Sequence, residues 1–229
     1  TPADAVRAWQ ELGEVPCVLE GRIDFVCELS VIGARGFDGE TRFYGPFLNE
    51  HREGILDHST FPAGLPETTA SEAREIVRTI LDDLDVVGLV CAELFLERGG
   101  GLLVNEIAPR PHNSGHLTIE GHATSQFEQH VRTSFGLPLG STEPVRPAAA
   151  MANLLGDLWR GGEPNWAAVL RDPSARLHLY GKEPRPARKV GHLTVVGEEA
   201  DVVTRHVLAL RERLEDREAG ERSSVGAAD

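Results

Sequence analysis

Cysteine is scarce in this sequence, and long hydrophobic runs are absent. Cys17, Cys27 and Cys91 are the three cysteines among 229 residues, and no two of them form a Cys-x-x-Cys pair. This usage is typical of free thiols in a reducing cytoplasm, so we expect three small buried residues and no disulfide framework. No segment approaches the roughly 18 apolar residues of a membrane span, and no signal peptide opens the sequence. We therefore expect a cytoplasmic protein without a membrane partner.

Positive charge is also scarce. The sequence has 23 lysine and arginine residues against 36 aspartate and glutamate residues, a formal net charge of −13. This balance argues against a nucleic-acid partner held by phosphate contacts. It does not exclude a small anionic substrate, because a local cluster of basic residues can override the average field. The sequence does not begin with methionine, and residues 1–13 predict a short helix entered within a domain, so we expect a fragment.

Hydrophobic periodicity predicts an α+β fold. We expect one domain over residues 1–140, a small C-terminal α/β unit over residues 141–215, and a disordered tail over residues 216–229. The predicted strands are residues 15–19, 25–34, 41–47, 87–97, 102–108, 149–155, 176–180 and 190–196. The predicted helices are residues 67–84, a second helix that starts after Ser125, and residues 199–215.

Two of these helices carry specific expectations. Thr68, Thr69 and Ser71 are the candidate caps of the helix over residues 67–84. For the second helix, Ser125 and Glu128 predict a capping box and Gly136 predicts the end. Its predicted buried stripe consists of Phe127, Val131 and Phe135.

The glycine turn at residues 98–101 predicts a tight hairpin with a pair of carboxylates. Centring the turn between Gly99 and Gly100 pairs Leu96 with Leu103, and it pairs Glu93 with Glu106. Both glutamates would then leave the same sheet face, where like charges destabilise each other unless they share a proton or hold a cation. Oxygen ligands favour Mg²⁺ or Mn²⁺ over zinc. A one-residue difference in register would instead leave one glutamate in water.

The segment after the hairpin is rich in functional side chains. Two prolines prevent a helix there, so the segment predicts a loop beside the carboxylates. Its candidate residues are Arg110, His112, Asn113, Ser114 and His116. A zinc site formed by His112, His116 and His122 is a weaker alternative, because the His-x-x-x-His spacing needs a helix.

A basic cluster lies in the C-terminal unit. Lys182, Arg185, Arg188 and Lys189 are interleaved with prolines, which fix the backbone. Such a cluster suits an anion such as a phosphate monoester, although an ordinary solvated basic loop has the same composition.

At these residues the sequence resembles the ATP-grasp family of 5-(carboxyamino)imidazole ribonucleotide synthases. The matching segments are ELSVIGARGFDG (residues 28–39), HREGIL (51–56), AELFLE (92–97), NEIAPRPHNSGH (105–116), TSQFEQH (124–130) and YGKEPRPARKVGH (180–192). The resemblance implies an ATP-grasp antiparallel sheet with packed helices. It also implies a cytoplasmic homodimer that uses ATP, Mg²⁺ or Mn²⁺, bicarbonate and 5-aminoimidazole ribonucleotide.

The resemblance also implies roles for individual residues. The adenine would lie against Glu20, Gly21, Arg22 and Ile23, with Glu28 on the ribose hydroxyls and His51 near the nucleotide. Mg²⁺ would be held by Glu93 and Glu106. Carboxyphosphate would be stabilised by Arg110 and His112, and the bicarbonate and imidazole pocket would be shaped by Asn113, Ser114 and His116. The ribonucleotide phosphate would be bound by Lys182, Arg188 and Lys189.

Two departures from the family pattern affect these expectations. Many ATP-grasp enzymes have asparagine two residues after the second metal glutamate, where this sequence has Ala108, so Asn105 or water must complete the cation's ligands. The family's N-terminal domain and Gly-rich phosphate flap have no counterpart in the sequence. We therefore expect this chain to be inactive alone, and ATP-dependent phosphate release at a rate typical of the family would contradict that expectation.

Two other functions fit parts of the pattern. A formate-using transformylase or a biotin-dependent carboxylase would share the ATP-grasp layout, but segments 112–116 and 180–189 argue against both. A non-catalytic nucleotide-binding module would keep residues 20–28 without needing Arg110, His112 and Lys189.

Overall fold

One eight-stranded antiparallel sheet organises residues 1–215, the residues that the computed structural model describes. Its strands are β1 (Phe25–Arg35), β2 (Thr41–Arg52), β3 (Ile55–Phe61), β4 (Gly88–Glu97), β5 (Leu102–Ala108), β6 (Ala148–Leu155), β7 (Arg176–Leu179) and β8 (Lys189–Gly197). The helices are α1 (Pro2–Glu11), α2 (Glu67–Asp83), α3 (Thr118–Gly121), α4 (Gln126–Ser134), α5 (Trp166–Leu170) and α6 (Ala200–Glu215). The strand order is β5-β4-β1-β2-β3-β6-β8-β7. The predicted α+β class is confirmed.

Helices α2 and α6 cover one face of the sheet. Val31 of β1 packs with Val77 of α2, and Ala150 of β6 packs with Leu210 of α6, all fully buried. The small alanines of β6 let α6 approach closely. Cross-strand partners share a face, and the chain of partners from β1 through β2 and β3 to β6 puts both helices on the same side.

The opposite face carries the segment over residues 109–147, which includes α3, α4 and a 3-10 turn at Asn113–Gly115. Leu117 of this segment packs with Ile32, Cys91 and Met151 of the sheet. Gly115 lies so close to Ile32 that a Cβ atom there would overlap the Ile32 side chain. The absence of a side chain at Gly115 therefore lets the loop lie directly on the sheet.

One strand prediction is wrong, and one strand was missed. Residues 15–19 form no strand, and Val18 and Leu19 are 86% and 83% exposed. The apolar run there has no neighbouring strand to pair with. The strand β3 was not predicted, because its alternation of apolar and polar residues is weak, and β2 continues well past residue 47.

The predicted helix caps are partly wrong. Helix α2 has Pro66 as its N-cap and no side-chain hydrogen bond at its start, so none of Thr68, Thr69 and Ser71 caps it. In α4, Ser125 accepts a hydrogen bond from the Glu128 amide as predicted. The Glu128 carboxylate instead pairs with Arg132, which leaves the capping box half formed.

The predicted buried stripe of α4 is wrong. Phe127, Val131 and Phe135 are 40%, 52% and 77% exposed. The buried residues of α4 are instead Gln126, Gln129 and Thr133. Both glutamines bond the backbone of neighbouring loops, and these contacts turn the polar side of the helix inward.

The C-terminal elements form as predicted, with three strands and a helix. The sheet is continuous across residue 141 because β3 pairs with β6, and the boundaries of the two units stay predictions. Residues 216–229, the predicted disordered tail, lie outside the described residues. Of the cysteines, Cys91 is buried as expected, whereas Cys27 is half-buried and Cys17 is exposed. No helix within residues 1–215 has the length and apolar character needed to cross a bilayer.

Candidate active site

Polar side chains gather on the sheet face that carries residues 109–147. On β1, Glu28 and Ser30 face this side, while Leu29 between them packs under α2. Ser30 pairs with Glu93 of β4, and Glu28 pairs with Asn49 of β2. Paired residues in an antiparallel sheet point to the same side, so three adjacent strands contribute to one polar surface.

The β4–β5 hairpin places Glu93 directly opposite Glu106, and this predicted pairing is confirmed. The two residues differ in exposure, because Glu106 is exposed and the Glu93 side chain is only 18% exposed. Burial raises the pKa of Glu93, and the negative charges of Glu106 and Glu28 raise it further, while His51 and Lys189 oppose the shift. One desolvated and one solvated carboxylate therefore share this position.

A β-bulge at Asn105 produces this arrangement. The predicted pairing of Leu96 with Leu103 is wrong, because Leu96 pairs with Leu102 in a turn one residue tighter. The register shifts by one residue at Asn105, which has no partner of its own on β4. Without the extra residue, Glu106 would point towards α2. The tighter turn and the bulge each shift the register by one residue in opposite directions, so Glu93 still pairs with Glu106 as predicted. The bulge also leaves Asn105 exposed beside Glu106.

A chain of polar contacts connects Glu93 to the loop above it. Nε2 of His112 lies 3.3 Å from Oε1 of Glu93. Nδ1 of His112 lies 2.8 Å from Oγ of Ser114, and Ser30 donates to the same Oγ at 2.7 Å. The Ser114 amide also points at Nδ1, at 3.4 Å. With Nδ1 as the acceptor, the ring proton lies on Nε2, towards Glu93.

His112 is uncharged at neutral pH. Burial lowers its pKa to about 4, and the nearby charges of Arg110, Lys189 and His51 lower it further. It therefore lies against Glu93 as a neutral ring and brings no positive charge to the carboxylate. Arg110 itself is exposed and donates to the carbonyl of Pro111 at 3.1 Å.

Glu28 and His51 lie together beside this chain. Nδ1 of His51 is 2.5 Å from Oε2 of Glu28, and both side chains are about one-fifth to one-quarter exposed. Burial raises the pKa of Glu28, with the charge of Glu50 adding to the effect. Burial also lowers the pKa of His51. The pair is thus partly desolvated and open on one side.

A cavity of about 640 Å³, lined in part by aromatic side chains, lies at the N-terminal start of β1. Its walls include the predicted adenine-binding residues Glu20, Gly21, Arg22 and Ile23, together with Leu103 and Asn105. Phe25 and Phe95 stack at 4.5 Å between ring centroids and form the floor. Flat apolar walls of this kind suit a nucleobase.

Gln126 fixes the loop that carries His112, and sequence analysis did not assign it a role. It is fully buried at the start of α4. Its Oε1 accepts from the His112 amide at 2.8 Å, and its Nε2 donates to the His112 carbonyl at 2.7 Å. The same Nε2 lies 3.0 Å from Nδ1 of His116. A glutamine next to a helix N-cap has no charge or spacing that predicts a positioning role. Its place within the matching segment 124–130 was the one feature of the sequence that could have indicated it.

Asn153 of β6 holds the next loop residue and was also missed. Asn113 and Asn153 exchange two amide hydrogen bonds of 2.9 and 2.7 Å. Nδ2 of Asn153 also donates to the Leu56 carbonyl at 2.7 Å. The structure therefore anchors Asn113 through the C-terminal half of the sheet.

His116 lies in an aromatic cluster instead of open solvent. Its ring centroid is 5.2 Å from Phe127, 5.9 Å from Tyr180 and 5.1 Å from His192. Burial is the main cause that lowers the pKa of His116 to about 4. The Tyr180 hydroxyl lies 2.7 Å from Nδ1 of His192. This cluster forms the wall between residues 109–116 and the basic loop.

The basic loop spans residues 182–189 and lies at the edge of the same surface. Lys182 and Arg188 are exposed, and the Lys182 ammonium lies 5.1 Å from the Tyr180 ring centroid. Lys189 is half-buried, and burial lowers its pKa, with Arg110 and Lys182 adding to the effect while Glu93 opposes it. Lys189 therefore interacts electrostatically both with Glu93 of the carboxylate pair and with the cations Arg110 and Lys182.

No group of three or more His, Cys, Asp or Glu side chains is arranged to hold a metal ion within residues 1–215. A cation at Glu93 and Glu106 would therefore need further ligands from Asn105, from the substrate or from water.

Two family models match the chain. Residues 1–127 match the ATP-grasp domain, and residues 149–206 match the phosphoribosylaminoimidazole carboxylase C-terminal domain.

Several relatives share the name N5-carboxyaminoimidazole ribonucleotide synthase. The Pseudomonas aeruginosa protein is 47% identical over 194 residues, covering 85% of this chain and 51% of the relative. The Bacillus subtilis protein is 42% identical over 190 residues, covering 81% of this chain and 48% of the relative. The chain thus spans about half the length of the curated relatives it matches.

Solved structures give the same result. The N5-carboxyaminoimidazole ribonucleotide synthetase of Thermus thermophilus is similar with a TM-score of 0.82 and 43% identity, over 93% of this chain and 57% of that chain. The Aspergillus clavatus synthase, in complex with ADP and 5-aminoimidazole ribonucleotide, is similar with a TM-score of 0.76 and 31% identity, over 85% of this chain and 53% of that chain.

Proposed function

The chain belongs to the ATP-grasp family, and on that premise we propose that it serves the ATP-dependent carboxylation of 5-aminoimidazole ribonucleotide by bicarbonate in purine biosynthesis. The products would be N5-carboxyaminoimidazole ribonucleotide, ADP and phosphate. The observation that carries the proposal is that Glu93, His112 and Lys189 converge on one sheet face. The names of the relatives support it, as does the A. clavatus complex with ADP and 5-aminoimidazole ribonucleotide.

The proposed reaction has two steps. A bicarbonate oxygen attacks the γ-phosphorus of ATP, the bond to the bridging oxygen breaks, and carboxyphosphate and ADP form. The exocyclic amine of the ribonucleotide then attacks the carboxyl carbon, either in carboxyphosphate or in CO₂ released from it. Phosphate leaves and takes up the amine proton. Both steps need fixed positive groups and the exclusion of water around a small anion.

The nucleotide would occupy the aromatic cavity. Its adenine would lie on Phe25 and Phe95, with the backbone of residues 20–23 at its edge. Glu28 would accept hydrogen bonds from the ribose hydroxyls, with His51 beside the carboxylate. Both side chains lie close enough to Glu93 to influence its pKa, so the phosphates would extend from the ribose towards Glu93.

The carboxylate pair fits a hard divalent cation. Glu93 and Glu106 offer only oxygen ligands, and Asn105 beside them offers an amide oxygen. A bound Mg²⁺ or Mn²⁺ would neutralise charge on the β- and γ-phosphates. Nε2 of His112 lies 3.3 Å from the Glu93 carboxylate and would limit its movement by packing against it.

The loop after β5 would receive carboxyphosphate. Arg110 would supply permanent positive charge, whereas His112, with its pKa lowered to about 4, would donate a hydrogen bond without carrying charge. Asn113, Ser114 and His116 would shape the bicarbonate and imidazole pocket, each held by a buried partner. The ribonucleotide phosphate would bind Lys182, Arg188 and Lys189.

Turnover of a hybrid enzyme tests this proposal. The matching half of the P. aeruginosa relative would be replaced by this chain, and ADP release would be measured with and without each substrate. We expect ADP release only when bicarbonate and 5-aminoimidazole ribonucleotide are both present. Turnover that is independent of bicarbonate, or that requires formate or biotin, would assign the chain to another ATP-grasp reaction.

A matched pair of variants makes the test specific to the site. Lys189→Met should reduce kcat/KM for the ribonucleotide by at least tenfold, because a phosphate ligand and a charge near Glu93 are lost. Arg205→Met removes an exposed cation of α6 and should leave kcat/KM unchanged. If the hybrid does not fold, calorimetric binding of the ribonucleotide to the chain itself replaces turnover, and no binding by the folded chain would count against the proposal.

The proposal includes a homodimer in the cytoplasm, which the family resemblance implies. Light scattering of the purified chain would give its mass, and a monomer across the micromolar range would contradict the dimer.

A further inference from the structure

The segment over residues 153–157 lies between the two loops that would hold the substrates. It begins at the end of β6, where Asn153 bonds Asn113. It continues into a 3-10 turn, Gly156–Trp159. The proposed reaction uses neither Gly156 nor Asp157, and the contacts of both point towards the basic loop.

Gly156 contacts the backbone of the basic loop directly. Its amide donates to the Arg188 carbonyl at 2.8 Å. A Cβ atom at Gly156 would overlap the backbone N and O of Arg185, and no flexible side chain could move aside, because the overlapping atoms belong to the main chain. The close approach therefore requires glycine at this position.

Asp157 holds the next peptide of the same loop. Its Oδ2 accepts from the Ala187 amide at 2.7 Å. Ala187 has a φ of 62°, a left-handed conformation that is uncommon and strained for alanine. The other oxygen, Oδ1, pairs with Arg160 at 2.5 Å. The carboxylate thus stabilises a strained turn through its backbone.

The basic loop needs such an anchor. Arg185 pairs with Glu183 of the same loop at 2.8 Å, whereas the like charges of Lys182, Arg188 and Lys189 repel each other when no anion is bound. Residues 185 to 188 are exposed. A carboxylate that bonds the backbone amide of the loop fixes its shape without neutralising the charges of Lys182 and Arg188.

We propose that Gly156 and Asp157 are positioning residues that hold the basic loop in the shape that binds the phosphate of the substrate. The inference rests on the proposed function, because that function makes the ligand of the loop a ribonucleotide phosphate. Asn153, at the start of the same segment, bonds Asn113 of the other loop. Residues 153–157 therefore also set the distance between the phosphate end and the reacting end of the substrate.

Binding of a matched pair of ligands tests the positioning role. The chain would be titrated with 5-aminoimidazole ribonucleotide and with the corresponding riboside, which lacks the phosphate. Asp157→Ala should weaken ribonucleotide binding about tenfold, the effect of one hydrogen bond to a charged group, and leave riboside binding unchanged. Gly156→Ala should act in the same direction. Asp157→Asn keeps an acceptor oxygen and should restore most of the affinity.

Hydrogen exchange gives a second readout that needs no ligand. In Asp157→Ala, the Ala187 amide should exchange at least tenfold faster than in the unmodified chain, because its acceptor is gone. The control is Arg160→Ala, which removes the partner of Oδ1 alone and should change neither exchange nor affinity.

The outcomes separate the two proposals. If the unmodified chain binds ribonucleotide and riboside equally, the phosphate site of the proposed function is wrong, and exchange at Ala187 still decides the positioning role. If the unmodified chain gains affinity from the phosphate and Asp157→Ala retains that gain, the positioning role is wrong. Unchanged exchange at Ala187 in Asp157→Ala would also overturn it.

Discussion

Buried amide side chains position the candidate catalytic loop residue by residue. Gln126 satisfies both backbone groups of His112, and Asn153 satisfies the side chain of Asn113. Amides suit this role because each offers both a donor and an acceptor, so one side chain can hold a loop without adding charge beside an anionic substrate. The charged residues can then be reserved for the ligands.

Replacing Gln126 with leucine tests this positioning. The substitution keeps the volume but leaves the amide and carbonyl of His112 without partners, so we expect the free energy of unfolding to fall by about 2–3 kcal/mol. Urea unfolding of the chain measures the change. Phe127→Leu, at the neighbouring 40% exposed position, is the control and should cost clearly less. An equal loss in both variants would mean that the Gln126 contacts contribute little.

At the level of helices and strands, hydrophobic spacing predicts an element well where apolar packing decides its orientation. Helix α2 is an example, since Ala73, Val77 and Leu81 are fully buried at the predicted spacing. Helix α4 has equally clear spacing, yet its apolar residues face outward. The reason is that loop backbone groups must be satisfied under α4, and the glutamines do so. Apolar periodicity reports nothing about such polar requirements.

Matched substitutions in the two helices test this assignment. Val77→Thr in α2 places a hydroxyl in a fully buried site and should cost about 1–3 kcal/mol of unfolding free energy. Val131→Thr in α4 makes the same chemical change at a 52% exposed position and should cost less than about 0.5 kcal/mol. Chemical denaturation measures both. A larger cost at Val131 would mean that the apolar side of α4 is covered in solution.

The same reasoning explains how much of the site was predictable. The pairing of Glu93 with Glu106 follows from hairpin counting, although the tighter turn and the bulge at Asn105 offset each other in a way that counting cannot anticipate. Ser30, Gln126 and Asn153 were missed because their partners are distant in sequence. Their roles depend on a sheet face that no local pattern describes.

At the scale of the whole molecule, the site depends on both halves of the sheet. Residues 20–116 would supply the nucleotide side, and β6, β7 and β8 supply Asn153, the aromatic wall and Lys189. The sheet is continuous through β3 and β6, so a change in either half can reach the other.

Burial on this face also keeps several histidines neutral. These are His112, His116 and His122, each with its pKa lowered to about 4, and His192, with its pKa lowered to about 2.

These neutral histidines predict loss of stability in mild acid. In the unfolded chain they take up protons below pH of roughly 6.5, whereas in the folded chain they stay neutral down to the lowered pKa values, so stability falls as pH drops from 7 to 5. We expect about 2 kcal/mol per histidine. The raised pKa values of Glu28 and Glu93 act in the opposite direction and offset part of the loss. Urea unfolding at both pH values measures the difference.

His122→Phe isolates one contribution to this pH dependence. His122 lies among Tyr44, Phe47 and Phe61, where a phenyl ring fits the surroundings. The variant should lose about 2 kcal/mol less stability than the unmodified chain between pH 7 and pH 5. An unchanged pH dependence would show that His122 does not stay neutral in the folded chain.

The central claim is that Glu93 and Glu106 hold a divalent cation together with a nucleotide. The most direct measurement is an electron paramagnetic resonance titration of the chain with Mn²⁺, in the presence and absence of ADP. We expect ADP to increase the affinity for Mn²⁺, and we expect Glu93→Gln and Glu106→Gln each to lower that ADP-dependent affinity at least tenfold. Glu72→Gln, which removes an exposed charge from α2 on the opposite face of the sheet, should not. Equal Mn²⁺ binding in all four proteins, or an equal loss in Glu72→Gln, would contradict the claim.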